Sequence, residues 1–340
     1  MRKIVSILIL LAMVLTMTVS FASCEPQTSN TSRDTVDIPE PIVTEEGLIF
    51  HMLSDGTYGI QMDVTRCPKE IEIPANYNGV VVTQILPEAF AGASNLENIR
   101  IPDSVTTIGE HAFSSCTGLT SISIPDSVII IGDYAFGSCD GLVSITIPDS
   151  VTTIGEYVFF YCTNLTSVVL PDGITTIARG TFCQCEHLTS ITIPDSVTSI
   201  GEEAFSNCRG LTSIDIPDSV TSIDTRAFWG CNDLTSFTIP KSVTSIGKEA
   251  FVACHGLISI TIPDSITYIN EGTFHSCTGL TSIIIHSEVN KIDTEAFGKC
   301  FSLTDIYFTG TESEWNAIVK GIHWNQDAGS YTIHYNYVPD

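Results

Sequence analysis

Nine cysteines recur at one fixed spacing, and this spacing constrains the fold more than any other feature of the chain. Successive members lie 23 residues apart, and they are Cys116, Cys139, Cys162, Cys185, Cys208, Cys231, Cys254, Cys277 and Cys300. A strict period in the range of about 20–50 residues is typical of a solenoid, in which one structural unit is stacked along an axis. The spacing therefore predicts a single elongated repeat array and not two globular domains.

One copy of the repeat is residues 101–123, IPDSVTTIGEHAFSSCTGLTSIS. Ile122 and the Ile that opens the next copy alternate with serines, which predicts a short strand. A Pro-Asp-Ser turn and a second extended segment follow. We expect a left-handed corner at Gly109, a helical segment of one to two turns over residues 110–117, and a left-handed helix end at Gly118. The predicted class is an α/β solenoid with a parallel sheet and short helical corners.

The array is predicted to contain ten copies over residues 73–307, with a longer first copy. A stack of this kind needs a cap at each end. Residues 44–72 are expected to form an N-terminal cap built on a hairpin. Residues 308–340 are expected to form a C-terminal cap, with a short helix over residues 312–319 and a closing strand over residues 331–335.

The repeated pattern I-P-x-S-V-x-x-I-G-x-x-A-F-x-x-C-x-x-L-x-x-I-x resembles the BspA-like leucine-rich repeats of bacterial surface proteins. The likeness covers residues 45–337, including an entry segment from Ile73 and an end module with Trp315. The resemblance implies a leucine-rich repeat solenoid on an exported protein. It also implies adhesion to host matrix proteins or to other bacteria, and it transfers no catalytic residues.

The N-terminal residues predict export. Arg2 and Lys3 precede an almost wholly apolar run over residues 4–19, which indicates a signal peptide over residues 1–23. Phe-Ala-Ser-Cys resembles a bacterial lipobox and predicts lipidation of Cys24, with Phe21 in place of the usual Leu. A plain secretory peptide cut before Cys24 and an uncleaved anchor are the alternatives. Residues 24–43 are predicted to be a flexible tether that holds the protein at the cell envelope or surface.

Charge and motif content exclude several functions. The chain carries 39 acidic and 14 basic residues, a net charge of −25, which disfavours nucleic-acid binding. No nucleophile–base pair, phosphate loop or paired catalytic carboxylates occur in the sequence. We therefore predict a non-catalytic module without a cofactor or metal, whose partner is a protein of the host matrix or of a bacterial surface. The membrane is expected to be involved only through the lipid.

The cysteine column is predicted to fill the core as small apolar side chains, behind the phenylalanines. Stacking would bring the Cα atoms within disulfide range, but parallel Cβ bonds keep the Cβ atoms too far apart. Cys183 lies outside the column, and we expect it to point outward as a partly exposed thiol.

The variable residues lie around the predicted helical segments. Trp229, Tyr134, Tyr157 and Tyr161 are the candidate anchors for a partner, because aromatic side chains dominate binding energy at interfaces. Two features favour a carbohydrate- or calcium-binding module as the alternative. The first is an outward face of repeated Ser and Thr, and the second is a row of aspartates in the Pro-Asp-Ser turns, which Lys241 interrupts.

Overall fold

The computed structural model describes residues 39–339. The predicted signal peptide, Cys24 and most of the predicted tether lie outside these residues. The described chain winds into a parallel-strand β-solenoid of about 12 turns with a period of about 23 residues. Over residues 39–339, no helix is both long and apolar enough to cross a membrane.

One side of the solenoid is built from the extended segment that follows the Pro-Asp-Ser turn. Its strands are Ile42–Val43, Leu48–Met52, Tyr58–Met62, Asn76–Tyr77, Val80–Ile85, Thr107–Ile108, Ile130–Ile131, Thr153–Ile154, Thr176–Ile177, Ser199–Ile200, Ser222–Ile223, Ser245–Ile246, Tyr268–Ile269, Lys291–Ile292 and Val319–Lys320. From Tyr58–Met62 onward, strands of successive turns pair in parallel, one 23-residue step apart in most cases. Pairing is interrupted before Thr176 and again before Tyr268.

The second side carries the predicted strand that contains Ile122. Its strands are Glu70–Glu72, Asn98–Arg100, Ser144–Thr146, Ser167–Val169, Ser259–Thr261, Ser282–Ile285, Asp305–Phe308 and Thr332–His334. All of these pairs are parallel. Strand pairing on this side lapses between residues 170 and 258. In this part of the described chain the only backbone bridge joins Thr192 to Asp215.

The predicted helical corners are wrong. Residues 110–117 and their equivalents form consecutive turns, and the helices among residues 39–339 are Glu312–Ala317 and the short 3₁₀ helix Val64–Arg66. Two residues per copy, such as His111 and Ser115, have left-handed backbone with φ of 53° and 61°. Each left-handed residue changes the direction of the backbone, so that alternate N–H groups point along the solenoid axis. These N–H groups therefore donate to carbonyls of the next copy and not to carbonyls within a helix.

The predicted role of the glycines is also wrong. Among the described residues with positive φ, neither Gly109 nor Gly118 nor their equivalents in the strict copies occur. Where glycine occupies these positions the preceding copy comes very close, whereas Ala178, Asp224, Asn270 and Asp293 occupy the equivalents of Gly109 in other copies. A Cβ on Gly109 would lie 2.6 Å from the Pro87 nitrogen, and one on Gly210 would lie 2.9 Å from the Glu186 carbonyl oxygen. The left-handed positions fall at other residues of the turn, and most of these are not glycine.

The solenoid has more turns than the ten predicted copies, because the terminal segments continue the backbone pairing without the repeat motif. The predicted N-terminal hairpin is present, and Tyr58–Met62 pairs in parallel with Val80–Ile85. Ile42–Val43, assigned to the tether from sequence, adds an antiparallel edge strand. At the other end, the predicted helix and closing strand are present as Glu312–Ala317 and Thr332–His334.

The core is one continuous column of apolar side chains. Phe113 and its equivalents are fully buried and stack with ring centroids 5.2–5.7 Å apart from Phe90 to Phe297. Trp324 ends the column with its ring edge-on to Phe297. No copy could bury these rings alone, so each copy stabilises its neighbours.

Candidate interaction surface

The turns form a third side of the solenoid, which we call the turn face: residues 111–115 of the first strict copy and the equivalent residues of the others. Its backbone bonds run without a gap from copy to copy. The Phe113 N–H donates to the Ala135 carbonyl at 2.8 Å, and the same bond recurs in every copy from Phe90 to Phe297 at 2.7–3.0 Å. The turn face is therefore a rigid surface that presents side chains at regular intervals.

Tyr134 and Tyr157 occupy the first left-handed position of consecutive copies, and their rings stack. His111 lies over Tyr134 at 4.7 Å, and Tyr134 lies over Tyr157 at 4.9 Å, both nearly parallel. Phe160 meets both tyrosines edge-on, at 6.2 and 5.9 Å. We call His111, Tyr134, Tyr157, Phe160 and Tyr161 the aromatic cluster. The structure thus brings together the three predicted tyrosine anchors with the rings of His111 and Phe160, which are not among the predicted anchors.

The aromatic cluster ends at Gly180, which occupies the position of Tyr157 in the next copy. A Cβ on Gly180 would overlap the Tyr157 ring. Arg179 instead lies over this ring with its guanidinium carbon 5.7 Å from the centroid. The Tyr157 hydroxyl donates to Glu203 at 3.3 Å. Burial first, and then the Glu203 charge, raise the pKa of Tyr157 to about 12. The hydroxyl therefore stays protonated and remains a donor.

The four predicted anchors differ in exposure. Tyr134 and Tyr157 are half-buried, since their ring faces pack against neighbouring side chains. Tyr161 is the most open, with 39% of its surface exposed, and its ring is tilted against Phe160. Trp229 lies three copies beyond Phe160 in the same column and is half-buried. It is therefore a separate position on the turn face and not a part of the cluster.

The nine column cysteines are fully buried, and each thiol donates to the carbonyl of a phenylalanine 26 residues earlier. Cys116 bonds Phe90 at 3.1 Å and Cys208 bonds Phe182 at 3.1 Å, and the other seven repeat the pattern. Burial raises the pKa of Cys116 to about 12. A neutral, bonded thiol of this kind packs as a small apolar group.

The predicted exposure of Cys183 is wrong. Its side chain is 6% exposed, and burial raises the pKa of its thiol to about 12. Cys183 occupies the position in its copy that Phe160 and Trp229 occupy in theirs, and the neighbouring turns cover a small side chain at this position. The sequence did not reveal this burial, because residues of very different size occupy the equivalent position in other copies.

The aspartates of the Pro-Asp-Ser turns are exposed. The serine of this turn, and not the aspartate, joins the copies in most of the strict repeats. Ser127 donates to the Val105 carbonyl at 2.6 Å, and Ser150 donates to the Val128 carbonyl at 2.8 Å. Over residues 39–339, no three His, Cys, Asp or Glu side chains are placed to share a metal ion.

The outward Ser and Thr side chains of the second side form a surface that we call the Ser/Thr face: Ser144, Thr146, Ser190, Thr192, Ser236, Thr238, Ser259 and Thr261. Sequence reasoning found no rings on this face other than Tyr307. The structure adds two, from His334 on the next paired strand and from Tyr337, which folds back over the face. His334 stacks on Tyr307 at 4.7 Å, and Tyr337 lies on Tyr307 at 4.7 Å.

Comparison with protein-family models finds the BspA type leucine-rich repeat region, over residues 83–212 and 198–318. These two ranges together span more than half of the chain. Six copies of the repeat make up the family model. The curated proteins contain no significant match to this chain.

Solved structures of bacterial leucine-rich repeat proteins resemble this solenoid. The leucine-rich repeat protein TpLRR of T. pallidum is 28% identical, with a TM-score of 0.51, and the match covers 63% of this chain and 90% of that chain. A leucine-rich repeat protein from Eubacterium ventriosum is 20% identical over 89% of this chain and 97% of that chain, with a TM-score of 0.52. The pneumococcal vaccine antigen PcpA is 17% identical over 87% and 99%, with a TM-score of 0.52. The last two likenesses concern the fold alone.

Proposed function

This chain belongs to the BspA-type leucine-rich repeat family, and from that premise we propose that it is a non-catalytic adhesion module that binds a protein at the cell surface. Leucine-rich repeat proteins typically mediate protein interaction or adhesion, and this family is generally non-enzymatic. The observation that carries the proposal is the turn face, a rigid and repetitive surface with aromatic side chains. Many similar weak contacts along one rod sum to strong binding by avidity.

The aromatic cluster and Trp229 are the proposed anchors. Interface hot spots are enriched in Trp, Tyr and Arg. The stacked rings of Tyr134 and Tyr157 are already ordered, so these two side chains would lose little conformational entropy when a partner binds. Tyr161 offers the largest exposed ring of the four, and Arg179 adds a cation at the edge of the cluster.

The partner is proposed to be a host matrix protein or a protein of another bacterial surface, with a basic patch. The net charge of −25 favours such partners by long-range attraction. Screening by salt weakens this attraction, so affinity should fall as ionic strength rises.

Surface plasmon resonance of the full chain over immobilised matrix proteins tests the proposal. Tyr161→Ala and Trp229→Ala should each weaken binding by about tenfold, which corresponds to about 1.4 kcal/mol. Phe301→Ala is the matched control, because Phe301 is 60% exposed but lies at the last strict copy, far from the cluster. Failure to bind any matrix protein or bacterial cell, together with a turnover activity in a substrate screen, would overturn the proposal.

We also propose that Cys24 carries lipid and that the protein is exported and held at the envelope. The polar residues after Cys24 would act as the tether. Stable anchoring needs two or more acyl chains, which bacterial lipoprotein processing supplies. Cys24→Ala should release the protein from the membrane fraction on cell fractionation. Membrane association equal to that of the parent chain would rule out the lipid.

A further inference from the structure

The Ser/Thr face contains a groove near its C-terminal end, and we propose that this groove binds a neutral oligosaccharide. The groove has a volume of about 1130 Å³. Small-molecule sites commonly occupy about 300–1,000 Å³, so this groove has room for a chain of several sugar rings. The proposal goes beyond protein adhesion, since it concerns another face of the solenoid and another class of ligand.

The floor of the groove offers hydroxyl groups without protein partners. Ser236, Thr238, Ser259 and Thr261 line it, and within residues 39–339 none of these hydroxyls makes a hydrogen bond to protein. The neighbouring Thr235 and Ser242 hydroxyls differ, because they donate to carbonyls of the preceding copy. A free hydroxyl can both donate and accept, which matches the hydroxyls of a sugar.

One end of the groove is closed by an aromatic ring. Tyr337 lines this end, and it rests on Tyr307, which rests in turn on His334. The His334 Nε2 lies 2.7 Å from an oxygen of Asp305, and this bond lowers the pKa of the Asp305 carboxyl. The Tyr337 N–H donates to the Phe308 carbonyl at 3.1 Å. Tyr337 is therefore held in place before any ligand arrives.

A fixed tyrosine beside free hydroxyls suits a sugar. The C–H groups on one face of a pyranose carry partial positive charge and pack on the negative face of an aromatic ring. Asp218 and Asp264 on the wall can accept from sugar hydroxyls, and Lys241 between them can donate. Binding thus combines apolar contact at the end with hydrogen bonds along the floor and wall.

Charge distinguishes a neutral sugar from an anionic glycan. Asp218, Asp264, Lys241 and His286 leave no cationic excess on the wall, and the chain has a net charge of −25, which disfavours an anionic glycan. A peptide is the competing occupant, because peptides commonly bind a sheet by adding a strand to an open edge, and Ser259–Thr261 pairs on one side only, with Ser282–Ile285. The unpaired hydroxyls and the Tyr337 ring favour the sugar, and an oligolysine peptide tests the alternative.

Isothermal titration of the full chain with neutral hexasaccharides of glucose, mannose and N-acetylglucosamine tests the proposal. At least one should bind. Tyr337→Ala should weaken that binding by at least tenfold, Tyr337→Phe should preserve it, and Thr261→Val should weaken it by about three- to tenfold. Thr146→Val is the matched control, because Thr146 occupies the same position on the Ser/Thr face outside the groove.

Three results would overturn the proposal: no binding of any neutral hexasaccharide, binding unchanged by both Tyr337→Ala and Thr261→Val, or a heparin hexasaccharide or an oligolysine peptide bound in the groove in preference to the neutral sugars. Thermal midpoints show whether each variant is folded. If Tyr337→Ala does not fold, Thr261→Val provides the test of the groove. The same groove variants should bind matrix proteins as the parent does. Loss of sugar binding with protein adhesion retained separates this proposal from the adhesion proposal.

Discussion

The turn face and the Ser/Thr face run along the same solenoid, but they hold the copies together to different extents. On the turn face, the backbone bond from Phe113 to Ala135 has a counterpart at every copy. On the Ser/Thr face, strand pairing lapses between residues 170 and 258 of the described chain, apart from the bridge of Thr192 to Asp215. Only the turn face therefore has an unbroken ladder.

The side chains differ in the same way. Behind the turn face lie stacked phenylalanines, bonded cysteine thiols and glycines such as Gly109 and Gly132 that the preceding copy approaches closely. The Ser/Thr face presents small polar groups to solvent. We infer that the backbone bonds and buried side chains of the turn face set the stability of the array, whereas the Ser/Thr face contributes little to it.

Alkaline pH should have the largest effect, because it acts on the whole cysteine column at once. Burial raises the pKa of Cys116 and Cys300 from an ordinary value of 9.0 to about 12, and it raises the pKa of the inner cysteines as well. Above pH 9 the unfolded chain loses thiol protons that the folded chain keeps. Stability is therefore full below pH 9 and falls between pH 9 and pH 12.

Urea unfolding followed by circular dichroism at several pH values measures this loss. Cys208→Ala should lessen the slope, because one raised thiol is removed. A free energy of unfolding that stays constant up to pH 12 would contradict the assignment of the column as buried neutral thiols.

Removal of one ring from the phenylalanine column should be the most damaging single substitution. Phe205 stacks between Phe182 and Phe228 at 5.3 Å on both sides and is fully buried. Phe205→Ala should cost about 3–5 kcal/mol of unfolding free energy, through lost burial and the cavity left behind. Urea titration measures it. Phe301→Ala, at an exposed position, should change the free energy of unfolding by less than about 0.5 kcal/mol. Equal losses in the two variants would contradict the inference that the buried column sets the stability of the array.

Two glycines give a matched test of how closely the copies approach. A Cβ on Gly132 would lie 2.6 Å from the Glu110 nitrogen, whereas a Cβ on Gly173, in a Pro-Asp-Gly turn, meets nothing within 4 Å. Gly132→Ala should destabilise by about 1–3 kcal/mol. Gly173→Ala should stabilise by about 0.4–1 kcal/mol, since it restricts the unfolded chain. Thermal melts of both variants decide the sign, and a neutral Gly132→Ala would remove steric contact as the reason for glycine.

The smallest effect is expected on the Ser/Thr face. Thr192 is exposed, and it lies where the strand pairing is weakest. Thr192→Ala should shift the unfolding free energy by no more than about 0.5 kcal/mol, as for most exposed positions. A loss comparable to that of Phe205→Ala would show that this face also supports the array.

Much of the fold could be read from the spacing of a few residue types. The cysteine period predicts the solenoid, and the alternation around Ile122 predicts its strand, because copies that cannot bury an apolar face alone must stack. The helical corners failed for a local reason. Ala112, Phe113 and Cys116 have the spacing of a helix face, but left-handed residues at His111 and Ser115 direct the N–H groups to the next copy.

The candidate sites could be predicted only in part. The aromatic residues around the turns are visible in the sequence, yet their stacking depends on the equal rise of each copy, which places Tyr134 directly over Tyr157. The Ser and Thr residues that form the floor of the groove are visible in the sequence, but the groove itself is not. Its ring comes from Tyr337, which the chain brings back through the left-handed turn at Asn336.

The repeat, its period, its buried column and the family of the chain follow from the residues alone, because a pattern repeated nine times specifies one packing solution for every copy. Only the packed copies reveal which backbone groups join them, how closely the preceding copy approaches Gly109, that Cys183 is buried, and where the terminal residues extend the stack. These outcomes depend on distances between copies, and a linear sequence does not contain those distances. Chain segments outside the motif, such as the residues around Tyr337, take their place only once the array is there to pack against.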